Sequence, residues 1–85
     1  MTLPKKKKSD AERTDEAIAE MDRYCLAHPR SPSATRRPRI VVRGNNCVVL
    51  LGSTLQDGIV GIGGTAEAAL HAFDLQYGAS LKAVG

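Results

Sequence analysis

The sequence predicts an α+β domain in which one helix, three strands and a second helix follow one another (α-β-β-β-α). Two stretches carry apolar residues at helical spacing, and each starts with a helix N-cap signal. Between them lie three short runs rich in β-branched residues, separated by turn residues. Such short connections favour antiparallel neighbours. We therefore expect a three-stranded antiparallel meander with two helices on one face, behind a flexible basic N-terminal arm.

The first helix is predicted to begin after Ser9, because Ser9 and Glu12 have the spacing of a capping box. An apolar stripe at helical spacing follows, formed by Ala17, Ile18, Met21, Tyr24 and Cys25. Pro29 ends the helix, since proline cannot supply the next backbone N–H. Residues 29–38, rich in proline and arginine, are predicted to be an extended linker.

The three strands are predicted at residues 39–43, 47–51 and 58–62, with a tight turn at Gly44-Asn45-Asn46. The second strand, Cys47-Val48-Val49-Leu50-Leu51, is apolar at every position. A strand with both sides covered has this composition. The second strand is therefore predicted to be the central strand of the sheet.

The second helix is predicted to start at Thr65, a good N-cap residue, with Glu67 in its first turn. Gly78 stands where a left-handed C-cap is expected. Residues 80–84 are compatible with a short strand or with a frayed tail, and the sequence leaves both open. The stripe of this helix consists of Ala66, Ala69, Leu70, Phe73 and Tyr77.

The chain has 85 residues, enough for one domain. We expect residues 1–8 to be a disordered basic arm and residues 9–85 to be a single domain. The formal net charge is +3, and the positive charge is concentrated in the lysine run of the arm and in an arginine cluster within residues 30–43. No apolar run resembles a signal peptide or a membrane span. The chain is therefore expected to stay in the cytoplasm, with Cys25 and Cys47 as buried thiols.

No constellation of residues predicts catalysis or metal binding. The two histidines are His28 and His71, and a catalytic pair of either one with a cysteine would arise only by a coincidence of folding. Cys25 and His28 have half-site spacing for zinc, but no second pair is clustered with them. The glycines at residues 61–64 precede a helix, but no lysine follows as in a phosphate-binding loop. The sequence therefore predicts no enzyme activity, no catalytic residue, no metal site and no cofactor.

The stretch LQDGIVGIGGTAEAALHAFD at residues 55–74 resembles a group of short accessory proteins encoded by tailed bacteriophages and prophages. That resemblance implies a place in the host cytoplasm but no particular activity. The strand-to-helix corner also resembles that of HicB-type antitoxins, and the element order resembles double-stranded RNA-binding domains. The residues that match the phage pattern are Leu55, Gln56, Gly58, Ile59, Gly61, Gly63, Thr65, Ala69, Leu70, Phe73 and Asp74.

Because two helices can cover only one face of such a sheet, the other face is predicted to be apolar and to form an interface. The leading hypothesis is a non-enzymatic protein that binds and modulates or inhibits a host protein, for example a defence or transcription component. A homodimer is a further possibility. The residues predicted to form the partner or dimer interface are Val41, Val48, Val49, Leu50 and Val60.

The alternative hypothesis is a nucleic-acid-binding module that contacts phosphates through its basic residues. The chain has two tyrosines, one phenylalanine and no tryptophan, too few for a base-stacking platform. Binding would therefore depend on charge. The residues predicted to carry it are Lys5, Lys6, Lys7, Lys8, Arg36, Arg37, Arg39 and Arg43.

Overall fold

A computed structural model describes residues 9–53 and 58–84, with side chains up to residue 80. The fold is α+β, as predicted, and the three strands have the predicted order with bounds that differ by at most one residue. The predicted basic arm lies outside the described residues. The elements are α1 (Asp10–Ala27), α2 (Pro32–Arg36), β1 (Arg39–Arg43), β2 (Asn46–Leu51), β3 (Ile59–Gly63) and α3 (Ala66–Val84).

The first helix begins at the predicted cap and buries one narrow stripe. The backbone N–H of Glu12 donates to Ser9 Oγ at 3.2 Å. Ala17, Met21 and Cys25, four residues apart, are buried against the sheet. Ile18 belongs to the predicted apolar stripe, but it is 46% exposed and lies outside the buried part of that stripe. One residue further along a helix turns the side chain by about 100°, which carries Ile18 off the stripe.

The predicted linker contains a short helix, α2, instead of an uninterrupted extended segment. Ser31 accepts a hydrogen bond from the backbone N–H of Ala34 at 3.2 Å, and Pro32 occupies the first helical position. Proline suits that position because its fixed φ is helical and its missing N–H would have no partner. Ser33 is fully buried, so α2 packs into the domain. Arg37 ends this helix in the left-handed conformation, with φ 50°.

The sheet has the strand order β1-β2-β3, and both pairs are antiparallel. The second strand is therefore central, as predicted. Because side chains alternate along a strand, the register sorts the sheet into two faces. The covered face, which packs against the helices, carries the buried residues Ile40, Val42, Cys47, Val49 and Gly61.

The closest packing in the domain joins α3 to β3 through glycine. A Cβ atom added to Gly61 would lie 2.3 Å from the carbonyl oxygen of Ala69 and from the backbone nitrogen of Phe73. Such a distance is far inside van der Waals contact, so only glycine lets the helix approach this strand. Leu70 and Phe73 are fully buried at the same junction, which is the centre of the core.

The last helix continues past Gly78 to Val84, so the predicted C-cap at Gly78 is wrong, and residues 80–84 are helical. Gly78 has no positive φ, and a Cβ atom added there would meet nothing within 4 Å. Gly78 is therefore a residue of weak helix propensity inside the helix, and no neighbouring atom requires glycine there.

Gly78→Ala is expected to stabilise the domain by about 0.5–1 kcal/mol, because alanine restricts the unfolded chain and favours the helix. A thermal melt followed by circular dichroism should show a rise of roughly 2–8 °C. A lower melting temperature would instead indicate a left-handed residue at this position and a helix that ends there.

Candidate functional site

The face of the sheet opposite the helices, called the open face below, carries a group of aliphatic side chains. The register places Val41, Val48 and Ile62 in one row across the three strands. A second row contains Arg39, Leu50 and Val60, and a third pairs Arg43 with Asn46. Five of these eight residues are aliphatic, so the centre of the open face is apolar.

The aliphatic residues of the open face remain accessible to solvent. Ile62 is 57% exposed, and the other four are partly buried because cross-strand neighbours cover their flanks. On the covered face, by contrast, Val49 is fully buried. Contiguous apolar side chains on an exposed surface are typical of an interaction site.

Four of the five side chains predicted for the interface lie on the open face: Val41, Val48, Leu50 and Val60. The fifth, Val49, lies on the covered face with no exposed surface, and it contacts the core instead. Its position one residue from Val48 requires this, because successive side chains point to opposite faces. Sequence reasoning missed Ile62, although its spacing of two residues from Val60 is the signal that identifies it.

The arginines predicted to bind nucleic acid divide into two pairs. Arg36 donates from Nε to the Tyr77 hydroxyl at 2.7 Å, and its guanidinium lies 5.6 Å from the centre of that ring. The Nη2 of Arg37 forms an ion pair with Asp22 Oδ1 at 2.9 Å, and this hydrogen bond raises the pKa of Arg37. Both side chains are therefore already engaged by other residues of the domain.

The other pair, Arg39 and Arg43, lies at the two ends of β1 on the open face, with Val41 between them. Both are exposed, and within residues 9–53 and 58–84 neither forms an ion pair or a side-chain hydrogen bond. They give the apolar surface a positively charged border along β1. The lysines at positions 5–8 lie outside the described residues.

A cleft of about 610 Å³ lies between α1 and α3 and is lined by Tyr24, His28, Glu67, His71 and Asp74 among others. The Tyr24 hydroxyl donates to Asp74 Oδ2 at 2.6 Å. The other carboxylate oxygen, Oδ1, accepts from the backbone N–H of Ser33 at 2.9 Å and from its hydroxyl at 2.7 Å. One aspartate on α3 thus connects both preceding helices to the core.

The Tyr24 and Asp74 side chains in the cleft hold the helices together through their hydrogen bond. Burial raises the pKa of Tyr24, and the hydrogen bond to Asp74 adds to the shift. The phenol therefore stays protonated at neutral pH and keeps donating to the carboxylate. The ring of His28 lies against Tyr24, with their centres 4.5 Å apart. Within the described part of the chain, no group of three or more metal-ligating side chains is close enough to hold an ion.

The chain was also compared with known protein families, curated proteins and solved structures. None of them matches. The residues of the phage-like pattern that the structure describes serve packing: Gly61 admits α3, Leu70 and Phe73 fill the core, and Asp74 holds α2. Thr65 caps α3 by accepting from the backbone N–H of Ala68 at 3.1 Å. The pattern therefore describes how the strand and helix fit together.

None of the helices, within the residues that the structure describes, is both long and apolar enough to traverse a bilayer.

Asp74→Ala is expected to destabilise the domain by about 2–4 kcal/mol, because it leaves the backbone N–H of Ser33 and the Tyr24 hydroxyl without an acceptor. The Ser33 hydroxyl would keep only its 3.4 Å hydrogen bond to the Leu70 carbonyl oxygen. Asp74→Asn keeps one acceptor oxygen and should recover part of this loss. Urea unfolding measures both values. Equal stability of all three proteins would contradict the connecting role of Asp74.

Proposed function

We propose that this chain is a non-enzymatic protein-binding module, and that the open face of its sheet is the binding surface. The observation that supports this most strongly is the two-sided apolar character of β2. Val49 and Cys47 are buried by the chain's own helices, whereas Val48 and Leu50 point to the opposite side. Strand propensity favours single aliphatic residues even on an exposed face, but five adjoining ones form an apolar patch of the kind that partners cover.

The border of the open face indicates the chemistry of that partner. Arg39 and Arg43 flank the apolar centre, and neither has a carboxylate partner among the described residues. Interfaces combine an apolar centre with complementary charges at the rim, and such charges favour correct partners more than they add affinity. The surface therefore suits a protein with an apolar patch bordered by aspartate or glutamate side chains.

The same features make nucleic acid a weaker candidate. Bases are held by aromatic stacking in many single-strand binders, and the open face carries no aromatic residue. Two of the four arginines predicted for phosphate contact are already bound to Tyr77 and Asp22. We therefore argue for a protein partner and treat nucleic acid as an outcome of the test.

The phage-like pattern in residues 55–74 suggests where the partner is to be found. We propose a protein of the host cell, bound in the cytoplasm, with modulation or inhibition of that host protein as the consequence. A component of host defence or of transcription fits this setting.

The test is affinity capture from host extract with three versions of the protein: wild type, Val48→Asp and Leu75→Asp. Val48 lies at the centre of the open face, whereas Leu75 is 63% exposed on α3, on the other side of the sheet. Both variants gain the same charge. We expect a protein that is retained by wild type and Leu75→Asp and at least about tenfold depleted with Val48→Asp, because a buried unpaired charge is costly.

Two results would count against the proposal. Capture that survives Val48→Asp places the partner on a different surface. Capture that disappears after nuclease treatment, and that falls steeply between low and physiological salt, assigns the chain to nucleic acid instead.

A further inference from the structure

The two edges of the sheet differ in how the rest of the chain covers them. At the β1 edge, the backbone N–H of Val42 donates to Thr14 Oγ1 of α1 at 2.9 Å. Just beyond the end of that strand, the Arg13 guanidinium donates to the carbonyl oxygen of Gly44. The first helix therefore satisfies backbone groups along the β1 edge, which is one way in which proteins keep further strands from pairing.

The β3 edge has no such cover from the residues that the structure describes. Because the Val42 N–H points away from β2, alternation in the antiparallel ladder turns the backbone of its partner Cys47 towards Gly63 of β3. The same alternation turns the backbone N–H and C=O groups of Val60 and Ile62 away from the sheet. No described residue supplies a hydrogen-bond partner to these four groups.

The β3 strand also lacks the features that keep an edge strand unpaired. Natural edges are blunted by proline, by charged side chains or by bulges. The strand Ile59–Gly63 contains no proline and no charge, and its pairing with β2 is continuous. Its edge is therefore a template on which a further strand can form hydrogen bonds.

The last helix decides what kind of strand can occupy this edge. The backbone of α3 lies directly on β3, since a Cβ atom added to Gly61 would be 2.3 Å from Ala69 O, and one added to Gly63 would be 2.7 Å from Ala69 N. If two copies of β3 paired at about 4.8 Å, the two copies of α3 would lie about 5 Å apart, whereas packed helices need about 8–10 Å. A second copy of this domain is therefore excluded, and the occupant must carry no helix behind its strand.

We propose that the β3 edge binds an extended segment of a partner protein, which pairs antiparallel with β3 and becomes the fourth strand of the sheet. An extended segment is a single strand with no helix packed on it, so it avoids the clash. Its two residues opposite Val60 and Ile62 would exchange four backbone hydrogen bonds with them. In this mode of recognition, backbone hydrogen bonds provide affinity and alternate side chains provide specificity.

The surroundings of the edge define which side chains the segment carries. Its residues opposite Val60 and Ile62 would point to the open face and continue its aliphatic rows, so apolar side chains suit both positions. The residue between them, opposite Gly61, would point to the side of α3, where the close approach of the helix leaves room only for a small side chain. Proline is excluded at the two paired positions, because each must donate an N–H. The expected motif is therefore an apolar, a small and a second apolar residue in succession.

This inference goes beyond the proposed function, because it rests on backbone groups at an edge and not on the apolar centre of the open face. Val48, at that centre, lies on β2, two strand spacings or about 10 Å from the added strand. The two surfaces can therefore be separated by substitution, and either proposal can fail without the other.

The test uses random peptides of about ten residues, the length of a long strand, selected for binding to the wild-type protein. The enriched peptides are then titrated against Ile62→Pro, Ile62→Thr and Val48→Asp by fluorescence anisotropy. Proline removes the outward N–H of residue 62 without removing a hydrogen bond to β2, and edge strands tolerate it, whereas threonine keeps the N–H. We expect an affinity at least about tenfold lower for Ile62→Pro and within about threefold of wild type for the other two variants.

A second comparison leaves the protein unchanged and modifies the peptide. In the antiparallel pairing, the N–H groups of the two apolar motif residues point to β3, and that of the small residue points away. Methylation of either inward N–H should lower the affinity at least about tenfold, whereas methylation of the outward one should leave it within about threefold. When the unmodified peptide binds, the amide hydrogens of Val60 and Ile62 should exchange more slowly than in the free protein.

Several outcomes would overturn the inference: no sequence is enriched, Ile62→Pro binds the peptides as wild type does, methylation of the outward N–H is as harmful as that of the inward ones, or Val48→Asp removes binding that Ile62→Pro retains. The last outcome would place the peptides on the open face and support the proposed function alone. Circular dichroism first establishes that each variant is folded. If Ile62→Pro is unfolded, the methylated peptides decide.

Discussion

Gly61→Ala is expected to destabilise the domain by about 3 kcal/mol or more, a large share of the total stability of a small domain. The added Cβ atom would lie 2.3 Å from Ala69 O and Phe73 N and 2.7 Å from Phe73 Cα. All three are backbone atoms of α3, so no side-chain rotation relieves the overlap. The helix must move away from the strand, and this separates Leu70 and Phe73 from the core that they fill.

The matched control is Gly64→Ala, three residues further along the chain. A Cβ atom at Gly64 meets nothing within 4 Å, and the residue is exposed. This variant should keep its stability within about 0.5 kcal/mol of wild type. Urea unfolding of the two variants measures the contrast, and similar stabilities would show that α3 does not rest on β3 through Gly61.

The second large loss of stability is expected for a charged substitution on the covered face of the sheet. Val49→Asp should unfold the protein, because Val49 has no exposed surface and its neighbours Ile40, Leu70 and Phe73 are aliphatic or aromatic. A carboxylate there has neither water nor a counter-ion, and a buried unpaired charge costs several kcal/mol. Size-exclusion chromatography and circular dichroism should show a loss of compact structure.

Val48→Asp is the control one residue earlier on the same strand. Its side chain lies on the open face, where water reaches the carboxylate, so the cost should be about 1 kcal/mol, from the lower strand propensity of aspartate. The difference between the two variants measures how unequally the two faces are covered. Equal destabilisation would mean that residues 48 and 49 are buried to the same degree.

The order and type of the three strands and of helices α1 and α3 could be predicted from the sequence because each has strong local signals. The sequence could not predict which residues of β2 face the helices and which face the open side. All five residues from Cys47 to Leu51 are apolar, so the two-residue period that tells one face from the other is absent. The sequence therefore does not distinguish Val49 from its interface neighbours, and only the pairing of Val49 with Ile40 and Gly61 places it in the core.

The other errors arise where the local signals are misleading, too short to show a period, or absent. Gly78 is a strong helix-ending signal, yet the helix continues through it. The five residues of α2 are too few for a periodic pattern, although Ser31 followed by Pro32 is a typical helix start. The connection from Tyr24 and Ser33 to Asp74 spans 50 and 41 residues of sequence, a distance over which a single sequence carries no pairing signal.

The central claim is that the open face is uncovered by the chain itself. Methyl-labelled protein with a soluble paramagnetic probe tests it most directly, because relaxation of each methyl group reports its access to solvent. With the free protein held as a monomer by dilution, the methyl groups of Val48, Leu50 and Ile62 should relax strongly and those of Val49 and Leu70 should not. Protection of Val48 equal to that of Val49 in a monomer would contradict the claim, and the binding surface proposed for this protein would be lost.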